Sequence, residues 1–435
     1  MLNLDKYRNL LASSDFIEYK GRISKVVGLT IESEGPEVNI GDLCKLCSSR
    51  GGTDIDAEVV GFKDNKVLLM PLGEMSGIGP GNIVIAQDNP LQVRVCKDLT
   101  GRILDGLGNP IDDRGPVEAE KFYSVNNKAP NPLQRKRISE PLALGVKAID
   151  GLLTIGKGQR VGIFAGSGVG KSTLLGMIAR NTKADINVIA LIGERGREVR
   201  EFIEKDLKED GLARSVLVVA TSDQPALVRL KGAMVATAIA EYFRDEGKNV
   251  LLLMDSLTRF AMAQREIGLS IGEPPISRGY TPSVFGMFPK LLERSGNSEK
   301  GSITGLYTVL VDGDDLNEPV ADTARGILDG HIVLSRALAN RNHYPAIDVL
   351  ASISRVMTDV VSKEHKIIAG EIKKALAVYK DAEDLINIGA YVKGSNEKID
   401  YAISVIDRIN EFVLQQTHES FTYDEILGML GEVLN

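Results

Sequence analysis

The spacing of hydrophobic and polar residues changes three times along this chain, and each change predicts a different kind of structure. In the N-terminal segment 1–17, Leu4, Tyr7 and Leu11 recur at intervals of three and four positions between charged residues, which predicts a short amphipathic helix over residues 1–14. A helix of this length is marginally stable by itself. The segment is therefore either a frayed terminus or a segment that docks on a partner.

Residues 18–88 carry short runs rich in Val and Ile that are separated by turn residues such as Gly35-Pro36 and Gly79-Pro80-Gly81. Short, closely spaced strands with such turns predict a small β-barrel. A barrel that binds oligonucleotides stacks bases on exposed aromatic residues. Because this segment contains only Tyr19 and Phe62 as aromatic residues, a structural barrel is favoured.

Residues 89–360 begin with a connection rich in Pro and Gly and continue as apolar runs that alternate with helical stretches. This alternation predicts an α/β domain in which helices cover a parallel sheet. The expected strands lie at 160–164, 187–192, 215–220, 250–254 and 303–311. Residues 361–435 show helical spacing without a strand signal, so the sequence predicts a multidomain chain that ends in an α-helical domain.

Composition excludes several classes of protein. The chain has 435 residues, 43% of them hydrophobic, which opposes wholesale disorder. Its net charge of −7 opposes a nonspecific nucleic-acid binder. The three cysteines do not suit a secreted disulfide scaffold, and Cys44 and Cys47 have metal-like spacing but no second pair. No run approaches the roughly 18 apolar residues of a membrane span, and the N-terminus lacks the apolar core of a signal peptide.

A phosphate-binding loop follows the first strand of the α/β domain. The apolar run 160–164 leads into a glycine-rich loop and then a helical stretch, which is the context that a Walker A motif requires. Backbone N–H groups of such a loop surround phosphate oxygens, the lysine reaches the β- and γ-phosphates, and the next hydroxyl binds Mg²⁺. Ala165 replaces the usual first glycine of the motif. The predicted ATP-binding residues are Gly166, Ser167, Gly168, Val169, Gly170, Lys171, Ser172 and Thr173.

Two acidic residues at the ends of other predicted strands complete the expected site. Asp255 ends the apolar run 250–254, where a carboxylate can hold Mg²⁺ beside the loop, so we predict Ser172 and Asp255 as metal ligands. Hydrolysis also needs a group that orients and deprotonates water. The residue after Asp255 is Ser256, so no acid adjacent to Asp255 can activate the water. The alternative candidate for this role is Glu194, just past the run 187–192. Its spacing alone does not distinguish it from an ordinary acidic residue in a loop.

Taken together, these motifs resemble the catalytic subunits of the rotary ATPase superfamily over nearly the whole chain. Within that superfamily the chain is most similar to the ATPases of the bacterial flagellar export apparatus, and virulence-type III secretion ATPases share most of the same segments. The segments that carry the resemblance are 165–173, 193–195, 253–260, 272–275, 278–285, 291–296, 300–304, 314–316, 327–336, 344–348 and 352–355. The resemblance implies a RecA-like P-loop domain between the barrel and the helices.

The resemblance also assigns roles that spacing could not. It implies that Glu194 polarises the attacking water, that Arg195 and Arg259 lie near the γ-phosphate, and that Tyr344 stacks on adenine. It further implies that Arg355 is an arginine finger that acts on the neighbouring subunit's nucleotide. The second aromatic residue of the family's adenine pocket is not assigned, because Tyr391 does not match cleanly.

The family's partners follow from the same resemblance. It implies a homohexamer, a stator-like regulatory export protein at residues 1–17, a central-stalk-like protein in the ring pore, export substrates with their chaperones, and an export gate. It implies a cytoplasmic protein that is peripheral at the inner face of the membrane, without nucleic-acid partners. The alternatives are a virulence-type secretion ATPase, an ATP synthase catalytic subunit, a ring-shaped RNA or DNA translocase and a non-catalytic structural ring.

Overall fold

The computed structural model describes residues 18–48, 52–87, 89–311, 313 and 315–434. The predicted docking segment 1–17 lies outside the described residues. The fold class expected from the sequence is confirmed: a closed β-barrel, a central α/β domain with a mostly parallel sheet, and C-terminal helices follow one another along the chain. Within the described part of the chain, no helix has both the length and the apolar character needed to cross a membrane.

The barrel is closed by six antiparallel strands in the order β1-β2-β5-β4-β3-β6. Alternate residues face inward, and Ile31, Leu46 and Leu69 are fully buried in its core. The strands are β1 Lys20–Val27, β2 Thr30–Glu34, β3 Leu43–Leu46, β4 Ile55–Lys63, β5 Lys66–Pro71 and β6 Ile83–Ala86. Glu58 of β4 makes a buried 2.5 Å ion pair with Lys231 of the next domain, which ties the barrel to it.

The central sheet has the strand order β17-β16-β10-β15-β13-β11-β12-β8, with β14 paired to β15, and only β14 and β17 are antiparallel to their neighbours. It confirms all five strands expected from the apolar runs. The connection also contributes β8, and β7 and β9 form a separate pair. The strands are β7 Gln92–Val95, β8 Ile103–Asp105, β9 Lys121–Ser124, β10 Arg160–Ala165, β11 Ile186–Ile192, β12 Ser215–Ala220, β13 Asn249–Asp255, β14 Gly296–Asn297, β15 Ser302–Leu310, β16 Gly330–Leu334 and β17 Ile347–Ser354.

Helices cover both faces of this sheet, which is why strands such as β11 and β12 are buried along their whole length. Those of the central domain are α1 Lys147–Leu152, α2 Lys171–Asn181, α3 Gly196–Glu201, α4 Lys208–Ala213, α5 Ala226–Asp245, α6 Leu257–Ser270, α7 Pro282–Leu292, α8 Pro319–Ile327, α9 Arg336–Asn340 and α10 Met357–Val360. A π-helical turn, Phe202–Leu207, joins α3 to α4, and short 3-10 turns lie at Lys97–Leu99 and Pro132–Gln134.

The C-terminal helices are α11 Lys363–Asn387, α12 Glu397–Val413 and α13 Tyr423–Glu432. They pack on the central domain through α1. At Gly151 of α1, an added Cβ would lie only 2.8 Å from the Phe412 ring, so the missing side chain permits this close approach. His365 of α11 is bonded to the Gly151 carbonyl at 2.6 Å and fixes the same junction.

Strand direction determines what lies at each edge of the sheet. β10, β11 and β13 are parallel, so their carboxyl ends meet at one edge, and Leu191 pairs with Asp255 there. The antiparallel β17 starts at that edge, where Ile347 pairs with Leu334, and ends at the opposite edge, where Ser354 pairs with Gly330. Residues just before β17 therefore lie near the phosphate loop, and residues just after it lie far from the loop.

Candidate nucleotide-binding site

The phosphate loop connects the end of β10 to the first residue of α2, Lys171. Gly168 and Gly170 have φ angles of 78° and 86°, in the left-handed region that glycine adopts without strain. Val169 is buried and anchors the loop, whereas Ser167, Gly168 and Ser172 are exposed. The loop and the start of an eleven-residue helix therefore present backbone N–H groups to an anion.

Lys171 lies between two carboxylates that come from different strands. Its Nζ atom is 2.5 Å from Oδ1 of Asp255 and 3.6 Å from Oε1 of Glu194. Thr308 of β15 donates its hydroxyl to the same Oδ1 atom at 2.7 Å, which holds the carboxylate of Asp255 in place. The three charged side chains that the sequence assigned to phosphate, metal and water are thus brought together.

The environment of Glu194 changes its acidity. Burial raises the pKa of its carboxyl group to about 7, and the negative charge of Asp255 and a hydrogen bond with Glu198 act in the same direction. The charge of Lys171 opposes the shift. A carboxyl group with a pKa near neutral pH can accept a proton from water more readily than an ordinary glutamate.

Lys171 keeps its positive charge although it is buried. Burial works against the ammonium form, but the combined attraction of Asp255 and Glu194 raises the pKa above that of an ordinary lysine. The side chain is therefore a permanent cation beside the loop at neutral pH. A cation in this position suits negatively charged phosphate oxygens.

Arg259 lies beside the strand end that carries Glu194. Its aliphatic stem packs on Gly193, where an added Cβ would lie 2.8 Å from the arginine Cβ. Ser256 caps α6 by accepting the Arg259 N–H at 3.2 Å, which fixes the start of the helix. The Nε atom of Arg259 is buried and has no hydrogen-bond partner among the described residues.

Tyr344 also lies at the loop. Its ring is 3.3 Å from the position of a Cβ built on Gly170, and the side chain is partly exposed. Tyr391 lies elsewhere, because its hydroxyl bonds to Asn396 and Asp400 at the start of α12, both at 3.0 Å. An aromatic face beside the loop is suited to a nucleotide base.

Two predicted arginines are not part of this cluster. The side chain of Arg195 is 80% exposed and lies 3.5 Å from Glu198. Arg355 is exposed just after β17, at the opposite edge of the sheet, where its guanidinium donates one 3.4 Å bond to the carbonyl of Arg325. Within one subunit, Arg355 and Lys171 therefore lie at opposite edges of the sheet.

Sequence reasoning missed two residues that act on the cluster. Glu198 lies in the first turn of α3, four residues after Glu194, and this second acid close to Glu194 in sequence was the available signal. Thr308 is a polar residue in the middle of the apolar strand β15, which marks it as a residue with a specific partner. Neither can be assigned to the site before the strands are placed side by side.

The groups present fit a nucleotide with a divalent cation. The glycine loop and Lys171 suit the phosphates, and the exposed hydroxyl of Ser172 with the carboxylate of Asp255 are oxygen donors of the kind that Mg²⁺ prefers. Glu194 supplies a carboxylate that can act on water. This combination is suited to the transfer of a phosphoryl group to water.

Comparison with known proteins identifies relatives of the whole chain. Residues 145–354 match the nucleotide-binding domain of the ATP synthase alpha/beta family, residues 23–87 match the beta-barrel domain of that family, and residues 361–432 match the T3SS EscN ATPase C-terminal domain. The flagellum-specific ATP synthase of Bacillus subtilis is 56% identical over 96% of this chain and 95% of its own length.

Two further matches come from secretion systems. The type 3 secretion system ATPase of Xanthomonas euvesicatoria is 52% identical over 95% of this chain and 93% of its own length. The structure of the assembled ATPase EscN from enteropathogenic E. coli, in complex with its central stalk EscO, superposes with a TM-score of 0.88 at 48% identity. That match covers 95% of this chain and 100% of the EscN chain.

Proposed function

We propose the function of this chain from one premise: it belongs to the ATP synthase alpha/beta family, in the branch of flagellum-specific ATP synthases and type 3 secretion system ATPases. It is an ATP hydrolase of a bacterial flagellar export apparatus, in which a homohexameric ring uses Mg-ATP to energise the unloading and export of flagellar proteins. The observation that carries ATP hydrolysis is the cluster of Lys171, Asp255 and Glu194 at the phosphate loop, and the flagellar role is supported by the 56% identity with the Bacillus protein.

Each residue of the site has a proposed role. The loop 166–170, Lys171 and Thr173 bind the phosphates, and Tyr344 stacks on adenine. Ser172 and Asp255 would hold Mg²⁺, which, when bound, draws charge from the phosphate oxygens. Glu194 orients the attacking water and accepts its proton, and Arg259 stabilises charge near the γ-phosphate. Arg195, which is exposed and paired with Glu198 in this structure, would join Arg259 there only after it leaves that pair.

Arg355 acts on the nucleotide of the neighbouring subunit. Two facts support this role: Arg355 is exposed, and it lies at the edge of the sheet opposite its own phosphate loop. A guanidinium that arrives only when subunits close provides charge where the transition state needs it. A role in trans requires an oligomer, and the related ATPase EscN is known in an assembled form.

Partners are proposed from the same relatives. The complex of EscN with EscO supports a central-stalk partner for this chain, located in the pore of the ring. We further propose that residues 1–17 dock a stator-like regulatory protein and that export substrates, chaperones and the export gate are the remaining partners. The proposed location is the cytoplasm, at the inner face of the membrane.

A virulence-type secretion ATPase is the second candidate. The identity of 52% with the Xanthomonas protein supports it almost as strongly as the Bacillus relative supports the flagellar role. The ATP synthase catalytic subunit is less well supported, because the C-terminal residues match the EscN domain. An RNA translocase gains no support from the barrel, in which Tyr19 and Phe62 are the aromatic side chains.

Complementation tests the flagellar proposal directly. The full chain should be expressed in Bacillus subtilis that lacks its own flagellum-specific ATP synthase, with Lys171→Ala as the matched inactive variant. We expect the parent chain, and not the variant, to restore swimming and secretion of filament protein. Purified chain that hydrolyses ATP but fails to restore export would favour the secretion candidate, and hydrolysis that requires RNA would contradict both.

A further inference from the structure

Gln159 is a fully buried amide at the residue before β10, at the edge of the sheet away from the phosphate loop. Its Oε1 atom accepts the N–H of Gly156 at 2.9 Å. Its Nε2 atom donates to the carbonyl oxygen of Asp329 at 3.0 Å and to the hydroxyl of Ser354 at 3.2 Å. The side chain therefore joins three segments that are distant in sequence.

Two of those contacts converge on the backbone of Arg355. The carbonyl of Asp329, which accepts from Gln159, also accepts the N–H of Arg355 at 3.0 Å. Ser354 is the residue before Arg355, and its hydroxyl donates to the carbonyl of Thr154 at 2.8 Å. Gln159 thus holds both the residue that precedes Arg355 and the carbonyl to which Arg355 is bonded.

Gly330 packs closely against the residues that precede Arg355 and against Gln159. A Cβ added to Gly330 would lie 2.6 Å from the carbonyl oxygen of Ile353, 3.2 Å from Cα of Ser354 and 3.3 Å from Nε2 of Gln159. The guanidinium of Arg355, by contrast, is exposed, and among the described residues it makes a single 3.4 Å hydrogen bond, to the backbone carbonyl of Arg325. Its direction consequently depends on how firmly the backbone beneath it is held.

We propose that Gln159 is a positioning residue for Arg355: it fixes the backbone from which the guanidinium reaches the nucleotide of the neighbouring subunit. The inference rests on the proposed role of Arg355 in trans. Catalytic groups must be held within a fraction of an ångström, and a displacement of about 1 Å costs roughly 10²-fold in rate. Loss of the Gln159 amide should therefore lower turnover in the ring.

A purely structural role makes a different prediction. Gln159 directly precedes the strand that ends in the phosphate loop, so it could instead support the loop of its own subunit. The two roles differ in which subunit's site is damaged. A defect in the finger appears in the neighbour's site, whereas a defect in the loop appears in the subunit's own site.

Mixed rings distinguish these roles. Gln159→Met, which keeps the size of the side chain and removes its hydrogen bonds, should lower kcat by roughly 10- to 100-fold while KM and nucleotide affinity stay near parent values. Mixing it with Lys171→Ala should restore a fraction of turnover, because an intact loop meets an intact finger at some interfaces. Mixing it with Arg355→Ala should restore nothing, because every finger is then defective.

The reverse pattern, with rescue by Arg355→Ala and not by Lys171→Ala, would overturn the inference and assign Gln159 to its own loop. Unchanged kcat in Gln159→Met rings would overturn it as well. The mixture of Arg355→Ala with Lys171→Ala tests the premise separately. If that mixture stays inactive while subunits demonstrably exchange, the proposed role of Arg355 in trans fails, and the inference fails with it.

If Gln159→Met subunits do not form rings, a milder substitution tests the same proposal. Ser354→Ala removes the hydroxyl that accepts from Gln159 and should give a smaller loss of kcat with the same rescue pattern. Ser352→Ala is its matched control, because Ser352 lies on the same strand and bonds to Asp348 and Val333 instead. Equal kcat for Ser354→Ala and Ser352→Ala would contradict the proposal.

Discussion

Lys171 and Asp255, which are 84 positions apart in sequence, form a 2.5 Å ion pair at the edge of the sheet where β10 and β13 end. The pair places the cation of the phosphate loop beside the carboxylate proposed to hold the metal. Glu194 approaches the same ammonium at 3.6 Å from the strand between β13 and β12. Substitutions of Lys171 and Glu194 should therefore separate the binding of phosphate from the activation of water.

Lys171→Ala and Glu194→Gln should both abolish hydrolysis, but for different reasons. In the proposed mechanism Lys171 binds the phosphates, so its loss should weaken nucleotide affinity. In the same mechanism Glu194 acts on water, so Glu194→Gln should keep near-parent affinity and lose turnover by about 10²-fold or more. Fluorescent-nucleotide titration and steady-state hydrolysis measure the two effects. Glu204→Gln, an exposed acid paired with Arg200, is the control, and turnover of Glu194→Gln equal to this control would contradict the assignment.

Hydrolysis should depend on pH through Glu194. The ionised carboxylate is the form that accepts a proton, and its pKa is raised to about 7, so activity should fall as the pH drops through that value. Glu198 contributes to the upward shift through a hydrogen bond and its charge. In Glu198→Ala the acid limb of the kcat profile should therefore move to lower pH. A limb that stays in place or moves upward would contradict this cause.

The phosphate loop, Asp255 and Glu194 could be predicted from the sequence, because each lies at the end of a strand that is visible as a local apolar run. Asp255 follows an apolar run and Lys171 follows a glycine loop, so both positions depend on nearby residues alone. The position of Arg355 depends on β16 and β17, which the apolar runs did not indicate. Both strands mix buried residues with partly exposed ones, so they do not appear as continuous apolar runs in the sequence. β17 also runs antiparallel to β16, and the place of both strands in the sheet depends on pairing between strands, which local sequence does not reveal.

Arg355→Ala should leave nucleotide binding by isolated subunits intact and remove the activity of the ring. An arginine finger contributes about 10³-fold or more to turnover, and Arg355 is remote from its own loop. Hydrolysis as a function of protein concentration, measured beside gel filtration, separates assembly from catalysis. Arg114→Ala is the matched control, because Arg114 is also exposed and bonds to one backbone carbonyl. Weakened nucleotide affinity in Arg355→Ala subunits would argue for a role in cis.

Arg294 and Glu241 form a buried ion pair that should determine stability rather than catalysis. Nε and Nη2 of the guanidinium each donate to one carboxylate oxygen of Glu241 at 2.8 Å, and Nη1 donates to the Val125 carbonyl at 2.8 Å. Asn127 donates to the same carboxylate at 3.1 Å. The pair therefore joins α5, the residues after α7 and the connection that precedes the central domain.

Arg294→Met should lower the free energy of unfolding by about 3–5 kcal/mol, because it leaves the carboxylate of Glu241 buried without a charge partner. The double variant Arg294→Met with Glu241→Leu should be less destabilised than Arg294→Met alone, because no unpaired charge then remains in the interior. Urea unfolding followed by circular dichroism gives the apparent midpoints. Arg341→Met breaks the exposed pair with Glu383 and should cost less than about 1 kcal/mol. If the losses of unfolding free energy caused by Arg294→Met and by Glu241→Leu simply add in the double variant, Arg294 and Glu241 are not coupled. The pair then does not stabilise this junction.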